Sequence, residues 1–576
     1  MPTLIPRRFK AGGRFRPALS VSTLLLIAMA VLLWASPVLA QEAGAAGDSV
    51  PGWLSILPPV IAIALALLTR RVIPSLAAGI WVGAWFANEL SLYGIWAGLL
   101  DVFDTWVLQA LAPPDGSTGH MSIILFTMMI GGMVGIIYRN GGALAIVEKL
   151  TNWANNRRRG EMASAGVGTA IFFDDYASLL VTGNAVRPMT DRLRISREKL
   201  AYYVDTSSAP IATLALVTTW IGFQVGLIGD ATSGLEGYDK SAYGTFLGAI
   251  PYMFYPILAF IFMWMLAGTS RDFGPMARAQ QYALEHGPQD ARGGDQESEE
   301  GLEAKEGIAH RAINAWLPVA VLLGVTIIAL FVTGEGDSVG DIIGSADSFS
   351  ALLWGSLLSV LVAGILSVGQ GLLSLGETVE AWLAGIRSVL TVLIILTLAW
   401  ALSSVTEELD AAAFLAELLG EAIPTWILPA LLFVLAAATA FATGTSWGTM
   451  GILLPLAIPL TWAILGNDGM ANESGMMILH ASVASVLAGA VWGDHTSPIS
   501  DTTVLAAATS HCGVAEHANT QLPYGLVVGG IAIVLGLLPV GFGAPWWVGM
   551  ILSIAALFGV VYGIGRPVDE VRKSGA

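Results

Sequence analysis

Apolar residues in this chain come in long continuous runs, without the alternation of a half-buried strand or the stripe of a water-facing helix. Runs of bilayer-crossing length cover residues 53–69, 72–88, 121–138, 199–228, 244–267, 312–333, 350–375, 388–402, 476–508, 522–542 and 546–563. They predict an all-α polytopic membrane protein with eleven crossings. Three helical stretches, near 91–111 (with Asp101 and Asp104), 141–152 and 405–420, are charged or short, and are expected flat at the interface. Two apolar stretches, 161–186 and 424–465, are interrupted midway by polar clusters. They predict re-entrant hairpins, because irregular backbone at membrane depth survives only when buried in protein or lining a cavity.

Composition fits this reading. Hydrophobic types make up 55% of 576 residues and charged types only 12%, about half the charge of an ordinary soluble domain. The net charge of −16 argues against a nucleic-acid partner, and the single cysteine against an intrachain disulfide framework or a thiolate metal site. The expected partner is the lipid bilayer, and no cofactor is implied.

The basic residues are strongly segregated. Five of the 27 (Arg7, Arg8, Lys10, Arg14, Arg16) precede an apolar run and Ser36-Pro37-Val38-Leu39-Ala40, an order that reads as a signal peptide over 1–40, with an uncleaved first helix as the alternative. Counting crossings from a cytoplasmic Arg70, every other Lys and Arg except Lys240 falls inside, as the positive-inside rule demands. The expected setting is a bacterial inner membrane, with the carboxyl terminus in the cytoplasm.

The chain divides into a first half at 53–270, a polar cytoplasmic linker with little fixed structure at 271–311, a second half at 312–545, an extra helix at 546–563 and a tail at 564–576. Each half follows one plan of three crossings, an interfacial helix, a hairpin, an interrupted crossing and a last crossing. The second copy starts on the opposite side, so the repeat is inverted. Inverted repeats with broken helices are the signature of alternating-access transporters, with binding near the midplane where the breaks meet.

The breaks echo one another. Asp205-Thr206-Ser207-Ser208-Ala209-Pro210-Ile211 interrupts one helix, and Gly493-Asp494-His495-Thr496-Ser497-Pro498-Ile499-Ser500-Asp501-Thr502-Thr503 the other. Each places an Asp and hydroxyl side chains before Pro-Ile, and proline frees carbonyl oxygens for a cation. The hairpin tips are Phe172-Phe173-Asp174-Asp175-Tyr176 and Phe441-Ala442-Thr443-Gly444-Thr445-Ser446-Trp447-Gly448. The long Asp-His-Thr-Ser-Pro run, together with Asp174-Asp175-Tyr176 and Thr443-Gly444-Thr445-Ser446-Trp447-Gly448, resembles the NhaC family of sodium/proton antiporters over about residues 120–515. The resemblance implies exchange of Na+ for H+ and an ion-transporter fold with scaffold and transport parts. Related folds suggest a homodimer, and some relatives move organic anions or amino acids.

A bare carboxylate at membrane depth costs roughly 3 kcal/mol or more, so each one there is a functional candidate. The candidates are Asp174, Asp175, Asp205, Asp494 and Asp501, with Thr206, Ser207, Ser208, Thr443, Thr445, Ser446, Thr496 and Ser497 as neutral Na+ ligands. A carboxylate that holds a proton or a sodium ion, but not both, couples the two fluxes. Asp494 is the first choice for it, Asp175 the second, and Asp205 a co-ligand. His495 is either a proton relay or a histidine bonded to a backbone carbonyl. Asp174, Asp175 and Asp501 have helix capping as their plain alternative. His480 and Glu473 are expected to face water, and the group His511, Cys512, Glu516 and His517 to sit in a solvated loop. The glycine pairs Gly131-Gly132 and Gly141-Gly142 are expected to permit close packing or a turn. A second reading is a Na+- or H+-coupled carrier of a small organic anion or amino acid. A remote third is an intramembrane hydrolase built on Asp494, His495 and a hydroxyl.

Overall fold

A computed structural model describes residues 52–567 except 70, 89, 113–117, 217, 289–303, 337–341, 343–345, 412–413 and 415–422. The expected signal peptide, most of the second part of 405–420 and the end of the tail lie outside the described residues. The first half contains α1 (Leu57–Thr69), α2 (Val72–Ala87), α3 (Leu92–Asp101), α4 (Gly119–Arg139), α5 (Gly142–Trp153), α6 (Arg157–Ala170), α7 (Asp175–Arg192), α8 (Arg197–Thr206), α9 (Ala209–Ala212), α10 (Ile221–Ser233), α11 (Ala242–Ala249) and α12 (Phe254–Thr269). After β1 (Arg271–Asp272) and α13 (Gly274–His286) come α14 (Ile313–Thr333), α15 (Ser348–Gly369), α16 (Leu375–Glu408), α17 (Leu428–Thr443), α18 (Ser446–Asn467), α19 (Met476–Thr496), α20 (Asp501–Thr509), α21 (Val514–Ile531), α22 (Trp546–Gly563) and β2 (Arg566–Pro567). The protein is an all-α polytopic membrane protein.

Among the described residues ten helices are long and apolar enough to cross a bilayer, or eleven if the bent pair Ala242–Tyr252 and Phe254–Thr269 is one span. The total agrees with the sequence reading, but the membership differs. The stretch 424–465, expected to turn back midway, forms two limbs that each have spanning length, and α18 alone rises about 33 Å. Its polar cluster is the turn between those limbs. The stretch 199–228 is instead divided into α8, α9 and α10, and α2 has only 16 residues. A two-limbed hairpin starts and ends on one face whatever depth its tip reaches, so the charge segregation is preserved. In the first half α6 is only 14 residues, about 21 Å, and begins at three arginines, as expected for a short hairpin limb.

The third crossings of the two halves, α4 and α16, touch at their glycines. A Cβ on Gly385 would stand 2.1 Å from the Gly131 carbonyl oxygen, one on Gly131 would stand 2.8 Å from the Gly385 oxygen, and one on Gly135 would stand 2.2 Å from the Ala381 oxygen. This is the close approach that small residues permit between membrane helices.

The segment expected to be a loose linker is largely ordered where it is described. Arg271 and Asp272 pair antiparallel with Pro567 and Arg566, which puts the end of the described chain on the same face as the linker. In α13, Met276, Gln280 and Ala283 form a buried stripe at helical spacing. Overall polarity hid this stripe. Gln280 accepts from Arg157 Nη2 at 2.6 Å and from the Ser196 amide at 3.0 Å. Asp272, fully buried, pairs with Lys199 and accepts from the Tyr524 hydroxyl at 2.7 Å. Glu473 is exposed as expected and pairs with Lys240 at 3.1 Å, holding that ammonium above its ordinary range. His480 is half-buried: its ring packs against Gly248, and its Nε2 is buried with no partner among the described residues.

Candidate functional site

The second break lies where α19 ends and α20 begins. Pro498 interrupts the helix, so Ser500, Thr502 and Thr503 fold back over Asp494 in the last turn of α19. Asp494 is 2% exposed and accepts three hydroxyls: Ser500 at 2.6 Å, Ser446 at 3.3 Å and Thr502 at 3.4 Å. Ser446 is the first residue of α18, so one of the three comes from the tip of the second hairpin. Gly444 makes that approach feasible. Its φ is +74°, and a Cβ there would stand 2.7 Å from the Ile499 carbonyl oxygen. Ser497 Oγ fastens the break to the hairpin by donating to the Phe441 carbonyl at 2.7 Å.

The first break lies between α8 and α9, where the Ser208 hydroxyl donates to the Asp205 carbonyl at 2.6 Å. The fully buried Asp205 carboxylate accepts from Gln521 Nε2 at 2.6 Å and Thr503 Oγ1 at 3.3 Å, with His517 Nε2 at 3.2 Å. Thr503 Oγ1 also lies 3.5 Å from the Asp494 carbonyl oxygen, so one hydroxyl joins the two breaks. His495 sits in the same seam. Its Nε2 meets Thr206 Oγ1 at 2.9 Å, its Nδ1 meets the Tyr255 hydroxyl at 2.7 Å, and its backbone oxygen accepts from Gln521. The ring is therefore held by two hydroxyls, not by a backbone carbonyl.

The tip of the first hairpin reaches the same region. Asp175, 1% exposed, opens α7, and Tyr176 donates to Asp501 Oδ2 at 2.8 Å across to the second break. Asp501 is exposed and stands in the first turn of α20. Asp494 is within electrostatic range of Asp501, Asp205 and Asp175, so four of the five acids chosen from the sequence share one region.

The neutral groups gather less well. Of the eight hydroxyls proposed, only Ser446 reaches a carboxylate. Thr206 holds His495, and Thr445 caps α18 through the Gly448 amide at 3.4 Å. Ser207, Thr443 and Thr496 donate to the carbonyls of Val204, Thr439 and Trp492 in their own helices, as hydroxyls in membrane helices commonly do. The hydroxyls on the acids are instead Ser500, Thr502 and Thr503, whose positions past Pro498 were the available signal. His517 and Gln521 were also missed. Expected in a solvated loop, His517 is fully buried on Asp205 one helical turn before Gln521, and Cys512 is 7% exposed.

The Na+/H+ antiporter family model matches residues 211–542. A Haemophilus influenzae protein named only as uncharacterized is 30% identical over 521 residues, 89% of this chain and 95% of its own length. An uncharacterized Na+/H+ antiporter of the same organism is 34% identical over 118 residues, 20% of this chain and 23% of its own. Among solved structures, the Alcanivorax borkumensis YdaH transporter is similar with a TM-score of 0.49 at 16% identity, over 78% of this chain and 90% of that one. Neisseria gonorrhoeae MtrF, described as illuminating a class of antimetabolite efflux pumps, has a TM-score of 0.43 at 14% identity, over 81% and 84%. With its match to the family model extending over more than half of its length, from the end of the first break through the whole of the second and beyond, this chain belongs to the Na+/H+ antiporter family.

Proposed function

We propose that this protein is a secondary active transporter that exchanges Na+ for H+ across the bacterial inner membrane by alternating access, with its carboxyl terminus in the cytoplasm. The observation that carries the reading is Asp494, a buried carboxylate in a helix break, ringed by Ser446, Ser500 and Thr502. A carboxylate with several hydroxyl oxygens suits a hard cation, and the same carboxylate binds a proton when the cation leaves. Asp205 lies beside it through Thr503 and takes part in the same exchange. An empty, charged carrier pays the cost of a bare buried carboxylate, which opposes reorientation without an ion.

The side-chain partners on Asp494 and Asp205 are hydroxyls, a histidine and an amide, a set that favours a cation over an organic anion. The hydrolase reading is less well supported, because Thr206 and Tyr255 hydroxyls meet the two His495 ring nitrogens where a triad would set a carboxylate on one of them.

The test uses proteoliposomes with an imposed Na+ gradient and an internal pH reporter. Na+ alone is expected to drive proton movement. Asp494→Asn keeps the shape but removes the charge, a loss of about 1.5–3 kcal/mol that weakens Na+ half-saturation at least about 10-fold. Proton movement only after an organic solute is added overturns the exchange reading, and full exchange in Asp494→Asn overturns the assignment of the coupling residue.

A further inference from the structure

We propose that the tip of the α6–α7 hairpin forms a second Na+ site, separate from the one at Asp494; this rests on the exchange reading above. A cavity of about 10 Å³ lies at the tip, room for one water-sized occupant. Asp174, Asp175, Thr219, Ser388 and Trp447 are among the residues that line it.

Two of these groups are both deeply buried and unsatisfied. Asp175 is 1% and Thr219 is 3% exposed, and neither Asp175 Oδ2 nor Thr219 Oγ1 has a hydrogen-bond partner among the described residues. A buried polar atom left unpaired costs about 1–3 kcal/mol, and more for a charged group, so both atoms call for an occupant. Helix capping does not supply one: the backbone amides that open α7 and the Trp220 indole N–H lie near the Asp175 carboxylate, yet neither closes a hydrogen bond to Oδ2, and Trp220 Nε1 is itself left without a partner among the described residues. The Ser388 hydroxyl donates to the Gly385 carbonyl at 2.8 Å, which leaves its oxygen lone pairs for a cation. Two carboxylates and two hydroxyls are hard oxygen donors of the kind Na+ takes.

This site shares no lining side chain with the hydroxyl ring of Asp494, so the two can be filled together. Its donors also come from three elements: the hairpin tip (Asp174, Asp175), the turn before α10 (Thr219) and α16 (Ser388). The set is complete only while the tip rests on α16, and movement of one past the other opens it.

The test counts radioactive Na+ bound per full-length chain in detergent, alongside Na+-driven proton movement in proteoliposomes. The wild type is expected to bind two ions. Asp175→Asn, Thr219→Val and Asp494→Asn each bind one, and in Thr219→Val the Na+ dependence of exchange changes from sigmoidal to hyperbolic. Thr219→Val guards against a folding artefact, because the hydroxyl it removes has no partner among the described residues to lose. Exchange in the wild type with one bound ion, or with two that Asp175→Asn and Thr219→Val leave in place, overturns the second site alone. A wild type that exchanges nothing overturns the reading beneath it.

Discussion

The pair Lys199–Asp272 offers the sharpest energetic test of how the segment after the first half is held. The Lys199 side chain is fully buried, its ammonium pairs with Asp272, and the rings of Tyr202, Tyr203 and Tyr524 surround it at 5.7, 5.3 and 5.6 Å to their centroids. Asp272→Ala leaves that charge without its hydrogen-bonded anion, and removing one partner of a buried pair costs about 3–5 kcal/mol. The three rings are present before and after, so they do not offset the loss. Glu161 interacts electrostatically with the same lysine, which places the expected cost near the lower end, about 3 kcal/mol. Replacing both residues, Lys199→Leu with Asp272→Leu, removes the stranded charge. It leaves the Tyr524 hydroxyl without its acceptor, about 1 kcal/mol, and leaves Glu161 with Arg157 as its remaining close cation. Thermal unfolding in detergent and limited proteolysis of the 271–286 segment read both effects. The single variant is expected to melt well below the wild type and to expose α13 to cleavage, while the double variant recovers most of the difference. A double variant that falls as far as Asp272→Ala, or a single variant that melts with the wild type, refutes the reasoning.

Three further outcomes are expected. Gly385→Ala sets a methyl 2.1 Å from the Gly131 carbonyl oxygen and lowers the melting temperature more than Gly131→Ala, where the distance is 2.8 Å; Gly559→Ala, with nothing within 4 Å, does not lower it. Gly444→Ala forces a left-handed residue, at about 1–2 kcal/mol, against the Ile499 carbonyl and is expected to reduce exchange measured in proteoliposomes. Burial first, then the charges of Glu198 and Glu516, push the Cys512 thiol up, so little thiolate is present at neutral pH. Maleimide labelling of the native protein is expected to be slow and to accelerate on denaturation, and rapid native labelling would contradict the burial.

The sequence made the acids legible and left much of their surroundings obscure. Asp175, Asp205 and Asp494 stand out because a carboxylate inside an apolar run demands an explanation, and the two Pro-Ile breaks mark where the helices open. The hydroxyls around Asp494 were harder to choose. Ser500, Thr502 and Thr503 contact it only because the break at Pro498 reverses the chain, whereas Thr496, nearer in sequence, points along its helix to the Trp492 carbonyl. His517 was misread because its neighbours in sequence are polar, while burial depends on the helix face it shares with Gln521 and Tyr524. The length of the limbs of the 424–465 hairpin was obscured in the same way. Its polar tip read as an interruption of one run, although the limbs on either side are each long enough to cross.

The glycine contact between α4 and α16 limits how this molecule can move. Main chain lies directly on main chain there, so no flexible side chain is available to take up a sliding motion. The two helices are therefore welded into a keel, and the rocking that the proposed alternating access calls for is left to the hairpins and broken helices that flank it.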